Sequence, residues 1–171
     1  MLFHNKSIAY TNPMVIEYEA TFVGIGKDEA RKIFAEKGAT LERPEFLQKR
    51  MVLDFPITDP YQGFLRVRDE GNKITLTHKI VGGKGITDQR ETYIVVDDFD
   101  KTVALLNAIG CPSISYEETK RELWLLDGVE ITIDDWPHLG NMIEIEGKSE
   151  DAVKNVSKKL GFDWKDAKFC T

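Results

Sequence analysis

The sequence predicts an α+β fold, mainly antiparallel β, in a single domain over residues 14–171. Three observations carry this. From Ala39 to Glu146 the chain reads almost wholly as strands separated by short turn signals, and short connections join antiparallel neighbours. Only three stretches have a helical period. Several strands put charge on one face and aliphatic side chains on the other, because successive residues of a strand point to opposite sides.

Composition narrows the class further. The chain has 171 residues, 42% of them hydrophobic, which suffices for a real core and argues against disorder. Its formal charge of −6 lacks the broad basic footprint of a nucleic-acid binder, so any anionic ligand must meet a local cluster of bases. Neither an apolar run of about 18 residues nor a charged start followed by an apolar stretch is present. The expectation is a cytoplasmic protein with no membrane partner. Cys111 and Cys170 have no metal-like spacing and are read as thiols without a role. Residues 1–13 are polar and aperiodic, a loose N-terminal extension.

The first strand, about Met14 to Val23, contains Ile16-Glu17-Tyr18-Glu19-Ala20-Thr21-Phe22 and stops at Gly24-Ile25-Gly26. A helix follows from Asp28 to Gly38, with acids in its first turn, Ala30, Ile33 and Phe34 on one face, and a glycine stop. Turn signals then fall at Thr58-Asp59-Pro60, Glu70-Gly71-Asn72, Gly82-Gly83-Lys84-Gly85 and Asp127-Gly128. One helix interrupts the strands from Phe99 to Ile109, with Val103, Leu106 and Ile109 as its stripe. The last helix has Ser149 as N-cap, Val153, Val156 and Leu160 on one face, and Gly161 beyond it.

Sharing of faces is the informative feature. Glu17 and Glu19 point the same way about 6.5–7 Å apart, and Glu144 and Glu146 repeat the pattern in Ile143-Glu144-Ile145-Glu146. Arg66 and Arg68 share one face of their strand, with Leu65 and Val67 on the other; Lys79 lies with Thr75 and Thr77, opposite Ile74, Leu76 and His78. Glu130, Thr132 and Asp134 oppose Ile131 and Ile133. Charged faces normally look to water. Surface faces mix signs, however, whereas here acids pair with acids and bases with bases. A closed sheet with its polar faces inward would set an acidic wall against a basic one, a site for divalent metal plus a polyanion. An apolar-ligand barrel would need the opposite lining.

These residues resemble the CYTH domain, also called triphosphate tunnel metalloenzymes, over about Met14 to Gly147. The matching pieces are Glu17-x-Glu19 for E-x-E-x-K, Leu65-Arg66-Val67-Arg68 for L-R-x-R, Thr77-x-Lys79 for T-x-K, Arg121-Glu122-Leu123-Trp124 for R-x-x-(Y/W), then Asp134 and Glu144-x-Glu146. The resemblance implies an eight-stranded closed β-barrel, the triphosphate tunnel, with helices packed outside. It implies that Glu17, Glu19, Asp134, Glu144 and Glu146 hold Mg²⁺ or Mn²⁺ and that Arg66, Arg68, Lys79, Lys120 and Arg121 bind the triphosphate. Catalysis would fall to Glu17, Glu19, Lys79 and Arg121. The run from Asp134-Asp135-Trp136-Pro137-His138-Leu139-Gly140 into Ile143–Gly147 is most similar to class IV adenylyl cyclase-like proteins, which convert ATP to cyclic AMP and pyrophosphate. A triphosphatase acting on tripolyphosphate or thiamine triphosphate is the alternative, and a non-catalytic nucleotide- or polyphosphate-binding module the rival from another class. A small-molecule triphosphate is the expected partner, without nucleic acid, and a homodimer is an allowed assembly.

Two positions depart from the family pattern. Thr21 and Thr119 stand where lysines are expected. Lys120 is adjacent but would face inward only if a bulge re-aimed it, and Arg50 or Arg90 could compensate. Glu91 is a further candidate for the inner face. His78 is read as lying outside the tunnel, His138 as a turn residue, Trp124 and Trp136 as packing residues, and Gly82–Gly85 as a hairpin connection.

Overall fold

The computed structural model describes residues 14–54 and 63–169. The expected N-terminal extension, the Thr58-Asp59-Pro60 turn and Cys170 lie outside the described residues. The elements are β1 (Val15–Ile16), β2 (Tyr18–Val23), α1 (Lys27–Glu36), β3 (Thr40–Asp54), β4 (Gly63–Asp69), β5 (Ile74–Val81), β6 (Gln89–Val96), α2 (Phe99–Ala108), β7 (Ser113–Leu126), β8 (Val129–Trp136), β9 (Gly140–Gly147) and α3 (Glu150–Leu160).

All pairings are antiparallel, and the sheet runs β1-β6-β5-β4-β3-β7-β8-β9-β2. Its two outermost strands are consecutive in the chain, joined at Glu17. The first predicted strand therefore pairs with β6 through Val15 and Ile16, then with β9 from Tyr18 to Val23. The Glu17 N–H, at the changeover, donates to the Gln89 carbonyl at 3.1 Å. Counted along the chain, this is the expected barrel of eight strands, with the first divided between two partners. Such a changeover is how tilted, staggered strands close a barrel.

The aliphatic strand faces look outward. Ala20 and Phe22 of β2, Ile131 and Ile133 of β8, and Ile143 and Ile145 of β9 pack under Ala30 and Phe34 of α1 and Val153, Val156 and Leu160 of α3. A second cluster joins Leu53, Leu65 and Val67 to Leu106 of α2 and Cys111. Each such side chain contributes about 1.5–3 kcal/mol when fully buried. Because the helices cover the aliphatic faces from outside, the charged faces are left for the interior. Trp124 packs on Phe34 in this outer layer, ring centroids 5.6 Å apart, as expected for a packing residue.

Local chemistry ends the elements where the sequence indicates. The Ser149 hydroxyl accepts the Ala152 N–H at 3.2 Å, and Gly161 closes α3 with a φ of 89°. Asp127 and Gly128 both take positive φ, 53° and 79°, which a two-residue hairpin between β7 and β8 requires. His138 also has positive φ, 72°, in the β8–β9 turn. Gly82–Gly85 is the β5–β6 connection, tied by Asp88 accepting the Gly85 N–H. Among the described residues no helix is long and apolar enough to cross a membrane.

Candidate metal and phosphate site

The barrel encloses a cavity of about 870 Å³, lined by the charged faces. At its seam, Glu17, Glu19 and Glu146 each bring one carboxylate oxygen within 4.8 Å of the other two. Glu19 and Glu146 are a direct cross-strand pair. Like charges so placed destabilise a sheet, which makes the cluster costly unless a cation or proton joins it. Burial, then Glu144, Glu17 and Glu146, push the Glu19 carboxyl up to about 8 against the pull of Lys79. Burial, Glu17 and Glu130 push Glu146 up to about 7.

A small hard cation fits this group. Three acidic oxygens at that spacing close onto one ion with minor side-chain movement, and the buried Glu19 Oε1 has no hydrogen-bond partner. Asp134 and Glu144, expected as further metal ligands, are not in this group. Both are held by Arg121, whose Nε and Nη2 reach Asp134 at 2.6 and 2.8 Å and whose Nη2 reaches Glu144 at 2.6 Å. Burial would raise the Glu144 carboxyl, yet Arg121, Lys79 and Arg50 hold it below the usual carboxylate value.

The bases line β3, β4 and β5. Lys79 is 1% exposed, with its Nζ 2.9 Å from Glu17 Oε2. Arg66 and Arg68 of β4 face inward near Glu91 (3.4 Å) and Glu70 (2.8 Å), so Glu91 is on the inner face. Arg50 is directly opposite Arg68 across β3 and β4. Burial and the neighbouring Arg66 and Arg121 lower both Arg50 and Arg68 to about 10, so they stay charged at neutral pH. Of the two arginines that could compensate at Thr119, Arg50 lines the lumen and reaches the Thr119 hydroxyl at 3.4 Å, whereas Arg90 is exposed and is not in the cavity wall.

Two expectations are corrected. Lys120 faces out, 57% exposed and 3.3 Å from Glu45. Thr119, Lys120 and Arg121 pair one-to-one with Gln48, Leu47 and Phe46, and the irregularities of this ladder lie beyond them, so β7 keeps strict alternation and nothing re-aims Lys120 inward. Trp136 is more than packing: it lines the cavity with the Arg50 guanidinium 4.3 Å from its ring centroid. Thr119 does face inward, where Arg50 and Gln48 contact its hydroxyl. His78 has the opposite parity from Lys79 and is absent from the cavity wall, as expected; burial lowers its pKa. Lys168, from the chain's end, lines the cavity as well, and no periodicity in the sequence points to it.

The CYTH domain family model matches residues 16–162. The chain belongs to the CYTH family. No curated protein matches this CYTH chain. Its fold is shared with a protein of Pyrococcus horikoshii OT3, with a TM-score of 0.77 and 19% identity over 91% of this chain and 96% of the other. A candidate adenylate cyclase from Vibrio parahaemolyticus matches with a TM-score of 0.76 and 13% identity over 93% and 96%. An adenylyl cyclase candidate from Hippeastrum with a dominant triphosphatase activity gives 0.62 and 14% over 90% of each chain. CYTH proteins of the triphosphate tunnel fold include cyclase-like enzymes and triphosphatases, and the superfamily depends on divalent metal; the acid cluster of this CYTH domain has the chemistry for one.

Proposed function

We propose that this CYTH domain is a divalent-metal-dependent enzyme acting on a linear triphosphate. The observation that carries it is the division of one enclosed lumen into a three-carboxylate cluster and a set of buried arginines and lysine. Glu17, Glu19 and Glu146 would hold Mg²⁺ or Mn²⁺, which supplies Lewis-acid polarisation of phosphoryl oxygens when bound. Arg66 and Arg68 offer guanidinium forks to phosphate oxygens, and Arg50 adds a third. Lys79 bridges the two sets, because its contact with Glu17 places an ammonium at the border of the acid cluster. Arg121 orients Asp134 and Glu144 while its own charge is largely matched. Catalysis then rests on positioning and on fixed charge facing the transition state.

The first reading of the reaction is cyclase-like: the ribose 3′-hydroxyl of ATP attacks the α-phosphorus and releases pyrophosphate. It is supported by the sequence likeness from Asp134 to Gly147 and by apolar side chains in the cavity wall, Val23, Leu139 and Met142, beside which an organic group could sit. Attack by water on the terminal phosphorus is the second reading, supported by the dominant activity of the Hippeastrum protein. Purified protein with Mg²⁺ or Mn²⁺ is assayed against ATP, tripolyphosphate and thiamine triphosphate, following cyclic AMP, pyrophosphate and phosphate. Cyclic AMP from ATP supports the first reading, and phosphate release the second. Tight binding of all three without turnover would sink the enzyme proposal in favour of a binding module.

A further inference from the structure

We propose that Lys168 is a phosphate-binding residue of the lumen, supplied by the C-terminal segment; this rests on reading the lumen as a triphosphate site. After α3 the chain makes a 3-10 turn at Trp164–Asp166 and returns to the barrel at β2. There Thr21 and Lys168 form an antiparallel bridge in which each N–H donates to the other's carbonyl at 2.9 Å. Residues opposed in this way project their side chains to the same face. Thr21 faces the lumen, 5% exposed, and Lys168 accordingly lines the cavity.

The bridge fills a gap that closure of the barrel leaves. Strand β2 has β9 on one side, but its other side lost β6 at Glu17, so an edge is open there. The returning segment covers that edge and is anchored by aromatic packing: Phe162 lies 5.0 Å from Phe22, and Phe169 lies 5.3 Å from Trp164. Its backbone is thereby fixed while the lysine stem remains free to move.

Lys168 also differs in charge environment from the lumen cations that have a carboxylate partner, Arg50 among them at 3.9 Å from Glu117. Lys79 is committed to Glu17, Arg66 to Glu91, Arg68 to Glu70, and Arg121 to Asp134 and Glu144. Lys168 is exposed and makes no ion pair among the described residues. An ammonium without an internal counter-charge, on a flexible stem at the edge of an anion site, keeps its charge for an arriving phosphate.

The test is calorimetric binding of tripolyphosphate to the full chain in metal-free buffer, with thermal unfolding as the control for folding. Lys168→Met should weaken binding about tenfold or more, the loss of one charge-assisted contact, without moving the unfolding midpoint. Lys168→Arg should keep binding. Thr21→Lys in the Lys168→Met background should restore it, since the charge re-enters from the bridged partner on the same face. Wild-type binding by Lys168→Met, with Arg66→Ala weakened, overturns this inference and leaves the lumen reading standing. Equal loss in the Met and Arg variants also overturns it, because the segment would then act only as wall. If the unaltered chain fails to bind tripolyphosphate with or without Mg²⁺, both readings fall.

Discussion

Arg121 grips Asp134 at two points, Nε to Oδ1 at 2.6 Å and Nη2 to Oδ2 at 2.8 Å, and the same Nη2 reaches Glu144 at 2.6 Å. One guanidinium therefore ties three neighbouring strands together inside the barrel, with Thr132 donating to Asp134 from the side at 2.8 Å. Asp134 is fully buried, so its charge depends on this partner. Arg121→Ala should cost about 3–5 kcal/mol of stability, the usual penalty for stranding one half of a buried ion pair. Urea denaturation measures it. Arg121→Lys, which keeps the charge but loses the fork, should fall between the two.

The acid cluster gives the stability a pH dependence with a definite sign. Glu19 lies at about 8 and Glu146 at about 7 in the folded chain, both above the ordinary value of 4.5. The folded state therefore binds more protons than the unfolded one, and this contribution is full below about pH 4.5 and lost as pH rises to about 8. In chelator, the unfolding temperature of Glu19→Gln should depend less on pH across that window than that of the unaltered chain. Added Mg²⁺ should raise the unfolding temperature of the unaltered chain more at about pH 8 than at about pH 5, because below the window protons compete for the same carboxylates. A Mg²⁺ response independent of pH would count against the cluster as its site.

Arg50 and Lys120 should separate cleanly in function. Arg50→Ala removes a lumen cation and should lower turnover of the active triphosphate by about 10- to 100-fold, the worth of a charged contact to phosphate. Lys120→Ala removes an exposed partner of Glu45 and should leave turnover within about twofold and stability within about 0.5 kcal/mol. Steady-state kinetics on the two variants checks both.

Gly63 holds β4 against β5 at a place where no side chain fits. A Cβ there would meet the Lys79 carbonyl oxygen at 2.7 Å, and that atom belongs to a sheet backbone that cannot swing aside. Gly63→Ala should cost about 1–3 kcal/mol and also depress activity, because relief of the clash moves the strand that carries Lys79. Circular dichroism melts and kinetics on the same preparation test the coupling.

Much of this arrangement was legible in the residues. Alternation is a local property: once Arg66-Val67-Arg68, Thr77-His78-Lys79 and Glu144-Ile145-Glu146 are read as strands, the side of each residue follows. The helix cap at Ser149 and the Asp127-Gly128 turn are local too, set by residues next to the backbone groups concerned. Like-signed pairs then indicated which faces look inward.

What alternation leaves open is which strands become neighbours, since pairing is made between residues far apart in the chain. Only the closed barrel divides the first strand at Glu17, gathers Glu17 and Glu19 with Glu146, and assigns Glu144 and Asp134 to Arg121. It likewise brings Arg50 into the basic set, leaves Lys120 outside, and seats Lys168 beside Thr21, 147 positions earlier in the chain (168 − 21), where no periodic signal could have linked them. Facing is inherited from the backbone repeat, while partnership comes from the stagger with which the sheet meets itself.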